Sequence, residues 1–121
     1  MASFLVVTLD FARCILQNVI VRVIKRLPLR VFWEKWPAAE APLRNWYRDT
    51  SAACWHNFSQ VKETFRSTDQ VKVSSGNTVT VFDIGGNKFR LVVKISYEKQ
   101  KVYVLRVMTH KEYDTNRWKR M

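Results

Sequence analysis

The sequence predicts an α+β protein in which amino-terminal helices pack on a small, mostly antiparallel β-sheet. Three features predict this class: an extended start, a middle segment with apolar residues every three or four positions, and a strand-rich end with alternating apolar and polar residues. With 121 residues, of which 47% are hydrophobic, the chain has apolar mass for one modest core. We therefore expect a single domain over residues 22–121, preceded by an apolar extension over residues 1–21.

The extension over residues 1–21 raises the question of a signal peptide or a membrane span. Asp10 and Arg13 lie inside its apolar run, whereas a signal peptide carries positive charge ahead of that run. In a bilayer, each of these charges would cost about 2.5–3.5 kcal/mol on insertion scales. We therefore expect no membrane association. An amphipathic helix, an added strand and a translated upstream stretch remain as alternatives for a segment that we expect to be peripheral to function.

The middle of the chain is predicted to be helical. After a short strand over residues 22–26, three helical stretches follow; Pro37 ends the first and Ser51 caps the third. A polar loop is predicted over residues 69–76. The apolar helical positions are predicted to form the core rather than a platform for stacking bases. They are Leu29, Phe32, Trp33, Trp36, Leu43, Trp46, Tyr47, Trp55, Phe58, Val61 and Phe65.

The first predicted hairpin joins two alternating strands, over residues 79–84 and 88–97. A two-residue turn at Gly85–Gly86 connects them, because glycine adopts the positive φ angles that such turns require. This turn sets Asp83 opposite Lys88. We therefore interpret Asp83 as a cross-strand partner of that lysine rather than as a catalytic acid.

The second predicted hairpin has a three-residue loop over residues 98–100 and a strand over residues 101–109, followed by a helical or frayed end. This loop sets Leu91 opposite Val107 and Val93 opposite Leu105, which builds a continuous apolar face. Side chains on the other face then form a basic surface. Its predicted members are Lys88, Arg90, Lys94, Arg106 and His110.

The composition predicts a polyanionic partner. Lys and Arg number 21 against 10 acidic residues, so the net charge is +11, and nucleic acid is the natural partner; a merely solvated basic surface is the alternative. Cys14 and Cys54 lie outside any metal-ligand spacing, and Glu112 and Asp114 form the only close acidic pair near His110. We therefore expect no metal, no other cofactor, no disulfide framework and a cytoplasmic location.

The predicted basic face has the groups needed to cut RNA. Attack by the 2′-hydroxyl of the RNA requires proton removal, stabilisation of a charged phosphorane and protonation of the leaving oxygen. Arg90 and Arg106 offer forked donors for phosphate oxygens, Lys88 offers a point charge, and His110 is the candidate for proton transfer. The same face also fits a non-catalytic basic module that binds RNA or the ribosome.

Two stretches carry a family resemblance: VFDIGGNKFRLVV over Val81–Val93 and RVMTHKEYD over Arg106–Asp114. They resemble the HigB family of messenger RNA interferases, which belongs to the RelE superfamily. The helical stretches Phe32–Pro37 and Ala39–Arg48 also resemble the amino-terminal half of that family, so that the resemblance covers about residues 22–114. Residues 1–21 depart from the family pattern.

The resemblance implies a RelE-like fold and a ribosome-dependent, metal-independent endoribonuclease that is restrained by a DNA-binding HigA antitoxin. It implies His110 as proton donor or acceptor, Arg90 and Arg106 as phosphate stabilisers, and Tyr113 as an orienting or stacking partner. A toxin that has lost activity and only binds its antitoxin is a further alternative. The predicted RNA contacts are Asn87, Lys88, Lys94 and Lys111.

Overall fold

The computed structural model describes residues 20–120, and this part of the chain has the predicted α+β architecture. Apart from its last two residues, the predicted extension over residues 1–21 lies outside the described part. In chain order the elements are β1 (Arg22–Ile24), α1 (Leu27–Lys35), a 3₁₀ turn (Pro37–Ala39), α2 (Glu40–Ser51), α3 (Phe58–Thr64), β2 (Thr68–Lys72), β3 (Thr78–Ile84), β4 (Phe89–Ser96), β5 (Lys101–Thr109), α4 (His110–Asp114) and a terminal 3₁₀ turn (Arg117–Arg120).

The described strands form one mixed sheet in the order β1-β5-β4-β3-β2. β1 runs parallel to β5, and the other neighbouring strands are antiparallel. The sequence predicts a loop over residues 69–76, but Thr68–Lys72 pairs with β3 as an edge strand. Most side chains of this strand are exposed, so it lacks the apolar alternation by which the other strands are recognised.

The first hairpin differs from its predicted register by two residues. Its turn comprises residues 85–88, with positive φ at Gly85 and Gly86, so that Asp83 lies opposite Arg90 rather than Lys88. The predicted pairing of Asp83 with Lys88 is therefore wrong. A shift of two residues leaves every side chain on its predicted face, which explains why alternation alone did not reveal it.

The second hairpin follows the predicted register only near its open end. Leu91 lies opposite Val107 as predicted, but an irregularity follows, and Val93 pairs with Val104 instead of Leu105. Leu105 is the extra residue of this bulge, and 39% of its surface is exposed. The turn that joins β4 and β5 covers residues 97–100 and is one residue longer than predicted, which accommodates the shift of register at the bulge.

The helices cover one face of the sheet and build the main core there. Phe82 of β3 is at its centre, with ring centroids 5.5 Å from Trp46, 6.4 Å from Trp55 and 5.2 Å from Phe65. The aromatic residues predicted on helices are thus core residues, except that Trp36 is 40% exposed, but Trp55 and Phe65 lie outside the helices that the structure has. The burial of these aromatic rings holds the helices against the sheet.

The segment between α2 and α3 departs from the prediction in two respects. Asn57, not Ser51, caps α3, because its side-chain oxygen accepts a hydrogen bond from the Gln60 N–H. Ser51 is instead the last residue of α2. Cys54 is disulfide-bonded, whereas the cysteine spacing gave no indication of a disulfide framework.

The other face of the sheet has a smaller core. The carboxy-terminal segment covers it, with the buried ring of Trp118 as its main apolar contribution. Within residues 20–120, no helix combines the length and the apolar character needed to cross a bilayer. The buried members of this second core are Val73, Val79, Val81, Val92, Met108 and Trp118.

Candidate functional site

A cluster of polar side chains lies where the start of β4 meets the end of β5. Because these strands are antiparallel, the turn over residues 85–88 and the first turn of α4 come together at this end of the sheet. The His110 N–H donates to the Lys88 carbonyl over 3.0 Å, which joins the two segments. The hydroxyl oxygen of Thr109 caps α4 by accepting a hydrogen bond from the Glu112 N–H. We call this group the sheet-end cluster, and its members are Asp83, Asn87, Arg90, His110, Tyr113 and Asp114.

Arg90 was predicted on an exposed basic surface, which is wrong: only 8% of its side chain is exposed, and it is the buried centre of the sheet-end cluster. Its Nε lies 3.1 Å from Asp83 Oδ1, and one terminal nitrogen donates to the Phe89 carbonyl over 3.1 Å. The other terminal nitrogen donates to Asn87 Oδ1 and lies 3.0 Å from His110 Nδ1. A buried guanidinium is costly unless its donors are satisfied, and these contacts satisfy all three of its nitrogens.

His110 connects the buried part of the cluster with its exposed part. Its Nδ1 faces Arg90, and its Nε2 lies 3.0 Å from Asp114 Oδ2, one helical turn further along α4. The His110 side chain is 42% exposed and Asp114 is more exposed still. The Nε2 side of the ring is therefore the side that an approaching substrate can reach.

Tyr113 lies between a ring and a cation. Its ring stacks on Trp118 at a centroid distance of 5.1 Å, and Arg90 Cζ lies 5.5 Å from the Tyr113 centroid. Burial raises the pKa of the Tyr113 hydroxyl, the charges of Asp69, Asp83 and Asp114 raise it further, and Arg90 opposes them. The phenol is therefore a neutral donor over a wider pH range than an ordinary tyrosine.

The other predicted site residues surround this cluster at different distances. Lys88 and Lys111 are exposed next to it, on the turn and on α4. Arg106 is exposed on β5 and lines a cavity of about 240 Å³. Met108 lines the same cavity, and in the sheet it lies opposite Arg90 of β4. Lys94 lies four residues along β4 from Arg90, or roughly 13 Å. The structure thus brings Asn87, Arg90, His110 and Tyr113 into direct contact, and it leaves Lys94 apart.

Two members of the sheet-end cluster were missed as site residues. Asp83 was assigned to Lys88, and the correct register would have placed it beside Arg90. Asp114 follows His110 by four residues on a helix, a spacing that brings side chains together. That spacing is the sequence signal that would have found it. Among residues 20–120, no group of three or more His, Cys, Asp or Glu side chains has an arrangement that could hold a metal ion.

Comparison with protein families adds a match over residues 39–116. The matching model is that of HigB_toxin, described as the RelE-like toxic component of a toxin-antitoxin system. This chain belongs to that family. The match includes every member of the sheet-end cluster and every site residue predicted from the sequence.

Individual relatives match over shorter or more divergent regions. The mRNA interferase toxin HigB of Escherichia coli strain K12 is 44% identical over 54 residues, which are 45% of this chain and 50% of the relative. The mRNA interferase HigB of Shigella flexneri gives the same figures. In these matches the chain spans about half the length of the relatives. The mRNA interferase HigB of Escherichia coli O6:H1 is 25% identical over 92 residues, 76% of this chain and 87% of the relative.

Proposed function

We propose that this chain is the toxin of a toxin-antitoxin pair, with a RelE-like fold, and that it cuts messenger RNA on the ribosome without a metal ion. Family membership supports the role of toxin. The names of the relatives, all mRNA interferases, support messenger RNA as the substrate. A DNA-binding antitoxin of the HigA type is the proposed restraining partner. The cytoplasm is the proposed location because the proposed substrate, messenger RNA on the ribosome, is there; the cysteines no longer support it, since Cys54 is disulfide-bonded.

The contact between Arg90 and His110 is the observation that carries this proposal. It couples a buried cation to an imidazole whose other side is exposed, in the part of the chain that matches the family. RNA cleavage by the 2′-hydroxyl needs hydrogen-bonding and positive groups around the reacting phosphate. His110 and Tyr113 supply the hydrogen-bonding groups, and Arg90 supplies positive charge from the buried side of the cluster.

The exposed basic residues have a proposed role in holding the RNA strand. Arg106 presents a forked donor to a phosphate oxygen, because its guanidinium is exposed beside the cluster. Lys88, Lys111 and, further out, Lys94 add point charges, and Asn87 adds an amide. The cavity beside Arg106, at about 240 Å³, is smaller than the usual ligand pocket. The small size of this cavity favours a substrate that the ribosome positions over one that the toxin holds alone.

We assign the RNA-cutting activity to residues 22–121 and propose that residues 1–21 are peripheral to it. All members of the sheet-end cluster lie in the former range. A chain without residues 1–19 should still arrest growth, since the sheet-end cluster has no member there; because this truncation also removes Cys14, the other cysteine of the sequence, Cys54→Ser in the full chain is its control.

Expression without an antitoxin tests the proposed function. The parent chain should arrest growth and produce new messenger RNA ends, and His110→Ala and Arg90→Ala should relieve both effects. Arg48→Ala is the matched control, because Arg48 is an exposed arginine of α2 that pairs with the neighbouring Asp49. Growth arrest without new RNA ends would favour the non-catalytic binding module. If His110→Ala and Arg90→Ala stay as toxic as the parent, the proposed site is wrong.

A further inference from the structure

Arg90 is held in one orientation by groups on both sides of the first hairpin. Asp83 of β3 contacts Nε, and Asn87 of the turn accepts from the terminal nitrogen that also faces His110. A guanidinium is planar, so that contacts at Nε and at a terminal nitrogen fix the direction of all its N–H groups. By fixing the orientation of the guanidinium, the Asp83 carboxylate directs a terminal N–H of Arg90 at His110 Nδ1.

The geometry around His110 determines which ring nitrogen carries the proton in the neutral side chain. A guanidinium has only donors, so Nδ1, at 3.0 Å from Arg90, must act as an acceptor. The single proton of a neutral ring then lies on Nε2. Asp114 agrees with this assignment, since its carboxylate is an acceptor 3.0 Å from Nε2.

We propose that Asp83 is a positioning residue for His110: by holding the Arg90 guanidinium against Nδ1, it keeps the ring proton on Nε2, the exposed side of the ring. What the ring then does rests on the proposed function. In the absence of RNA the Nε2–H donates to the exposed Asp114 carboxylate, and an oxygen of the RNA phosphate would take the place of Asp114 as its acceptor, while the lone pair at Nδ1 remains engaged by Arg90. His110 therefore stabilises charge on the phosphate by hydrogen bonding rather than by accepting a proton.

The tautomer of His110 can be measured without RNA and without any variant in the cluster. In protein labelled with ¹⁵N-histidine at mildly alkaline pH, the nitrogen shifts and couplings distinguish a protonated from an unprotonated ring nitrogen. The other histidine, His56, is removed as His56→Gln to assign the signals. We expect His110 to be wholly Nε2–H. A substantial Nδ1–H population in this protein would overturn the proposal.

Asp83→Asn tests whether the carboxylate is the cause. The Nδ1–H form should then appear at His110, and cleavage turnover should fall by up to about 100-fold with little change in KM, because a misplaced donor still allows binding. Asp83→Glu, which keeps the carboxylate, should restore part of both. Asp49→Asn is the matched control, since Asp49 is an exposed carboxylate on α2 that pairs with Arg48. If Asp83→Asn retains both the tautomer and the turnover, Asp83 has no positioning role.

The two readouts separate this inference from the proposed function. An Nε2–H ring in a protein that cuts no RNA would leave the positioning by Asp83 intact and overturn the function. Defined RNA cleavage by a protein whose His110 is Nδ1–H would leave the function intact and overturn the positioning. Should Asp83→Asn not fold, Asp114→Asn decides, because it leaves Asp83 and Arg90 in place: a retained Nε2–H ring supports the positioning through Arg90, and an Nδ1–H ring assigns the tautomer to Asp114 and overturns it.

Discussion

The arginines of the helical layer and the arginine of the sheet-end cluster lie in contrasting environments. Arg30, Arg44 and Arg48 have side chains between 63% and 71% exposed, and each pairs with one nearby carboxylate. Arg90 is 8% exposed and contacts an aspartate, an asparagine, a backbone carbonyl and a histidine. The same side chain is thus a solvated surface group in one region and the centre of a buried network in the other.

This difference shows what net charge can and cannot indicate. A charge of +11 predicts a polyanionic partner, but most of the basic residues within residues 20–120 are ordinary exposed surface groups. Exposed ion pairs contribute little, whereas a buried cation persists only where its partners are arranged to receive it. The arrangement around Arg90, rather than the excess of basic residues, therefore locates the candidate site.

Removal of single arginines gives the largest expected contrast. Arg90→Ala should lower the free energy of unfolding by about 2–3 kcal/mol, because it leaves the partly buried Asp83 unpaired. Arg48→Ala, at an arginine that is 71% exposed, should change it by no more than about 0.5 kcal/mol. Urea denaturation of both variants measures the difference. Equal losses would mean that the burial of Arg90 has no energetic consequence.

Double-mutant cycles sharpen the comparison at the level of pairs. The coupling between Asp83 and Arg90, from alanine variants, should be about 1.5–2 kcal/mol. The coupling between Arg30 and Glu34, an exposed pair four residues apart on α1, should be about 0.3–0.5 kcal/mol. A coupling at Asp83 and Arg90 as small as that of the helical pair would contradict the account of a buried network.

Arg106 should behave as an exposed arginine in stability and as a site residue in activity. Arg106→Ala should leave the free energy of unfolding within about 0.5 kcal/mol of the parent. RNA cleavage should fall about tenfold, since one charge-assisted contact to phosphate is lost. Arg48→Ala, with similar exposure, should lose neither. Unchanged cleavage by Arg106→Ala would remove Arg106 from the proposed site.

The smallest expected effect concerns the pH dependence of stability. Because the pKa of Tyr113 is raised in the folded chain, the folded state keeps its proton after an unfolded tyrosine has ionised. This contribution is complete below the unfolded pKa and is lost as the pH rises through the folded pKa, at pH values of about 10 and above. Tyr113→Phe should therefore lose less stability than the parent across this range. Parallel unfolding curves would show that the environment of Tyr113 has no such effect.

Periodicity predicted which face each residue occupies better than it predicted which residues are neighbours. The helical aromatics lie in the core as expected, since a stripe of apolar residues can be buried in only one direction. Trp36 is the exception: it follows the last residue of α1, beside Pro37, and although its ring centroid lies 6.5 Å from that of Phe89 on β4, it stays 40% exposed.

Register and local irregularity could not be predicted from alternation. A shift by two residues changes the partner of Asp83 without moving it to another face, and the bulge at Leu105 is a backbone feature with no apolar signature. The site was therefore predicted as a set of residues on one surface, with its central contact between Arg90 and His110 unforeseen. That contact depends on the turn over residues 85–88, whose length the two glycines do not fix.

Cleavage of a messenger RNA during translation tests the central claim most directly. The purified chain is added to a reconstituted translation reaction, and RNA ends are mapped for the parent, His110→Gln and Arg48→Ala. The account predicts defined cuts with the parent and with Arg48→Ala, and their loss with His110→Gln. Absence of cuts with the parent, or equal cutting by His110→Gln, would contradict the account.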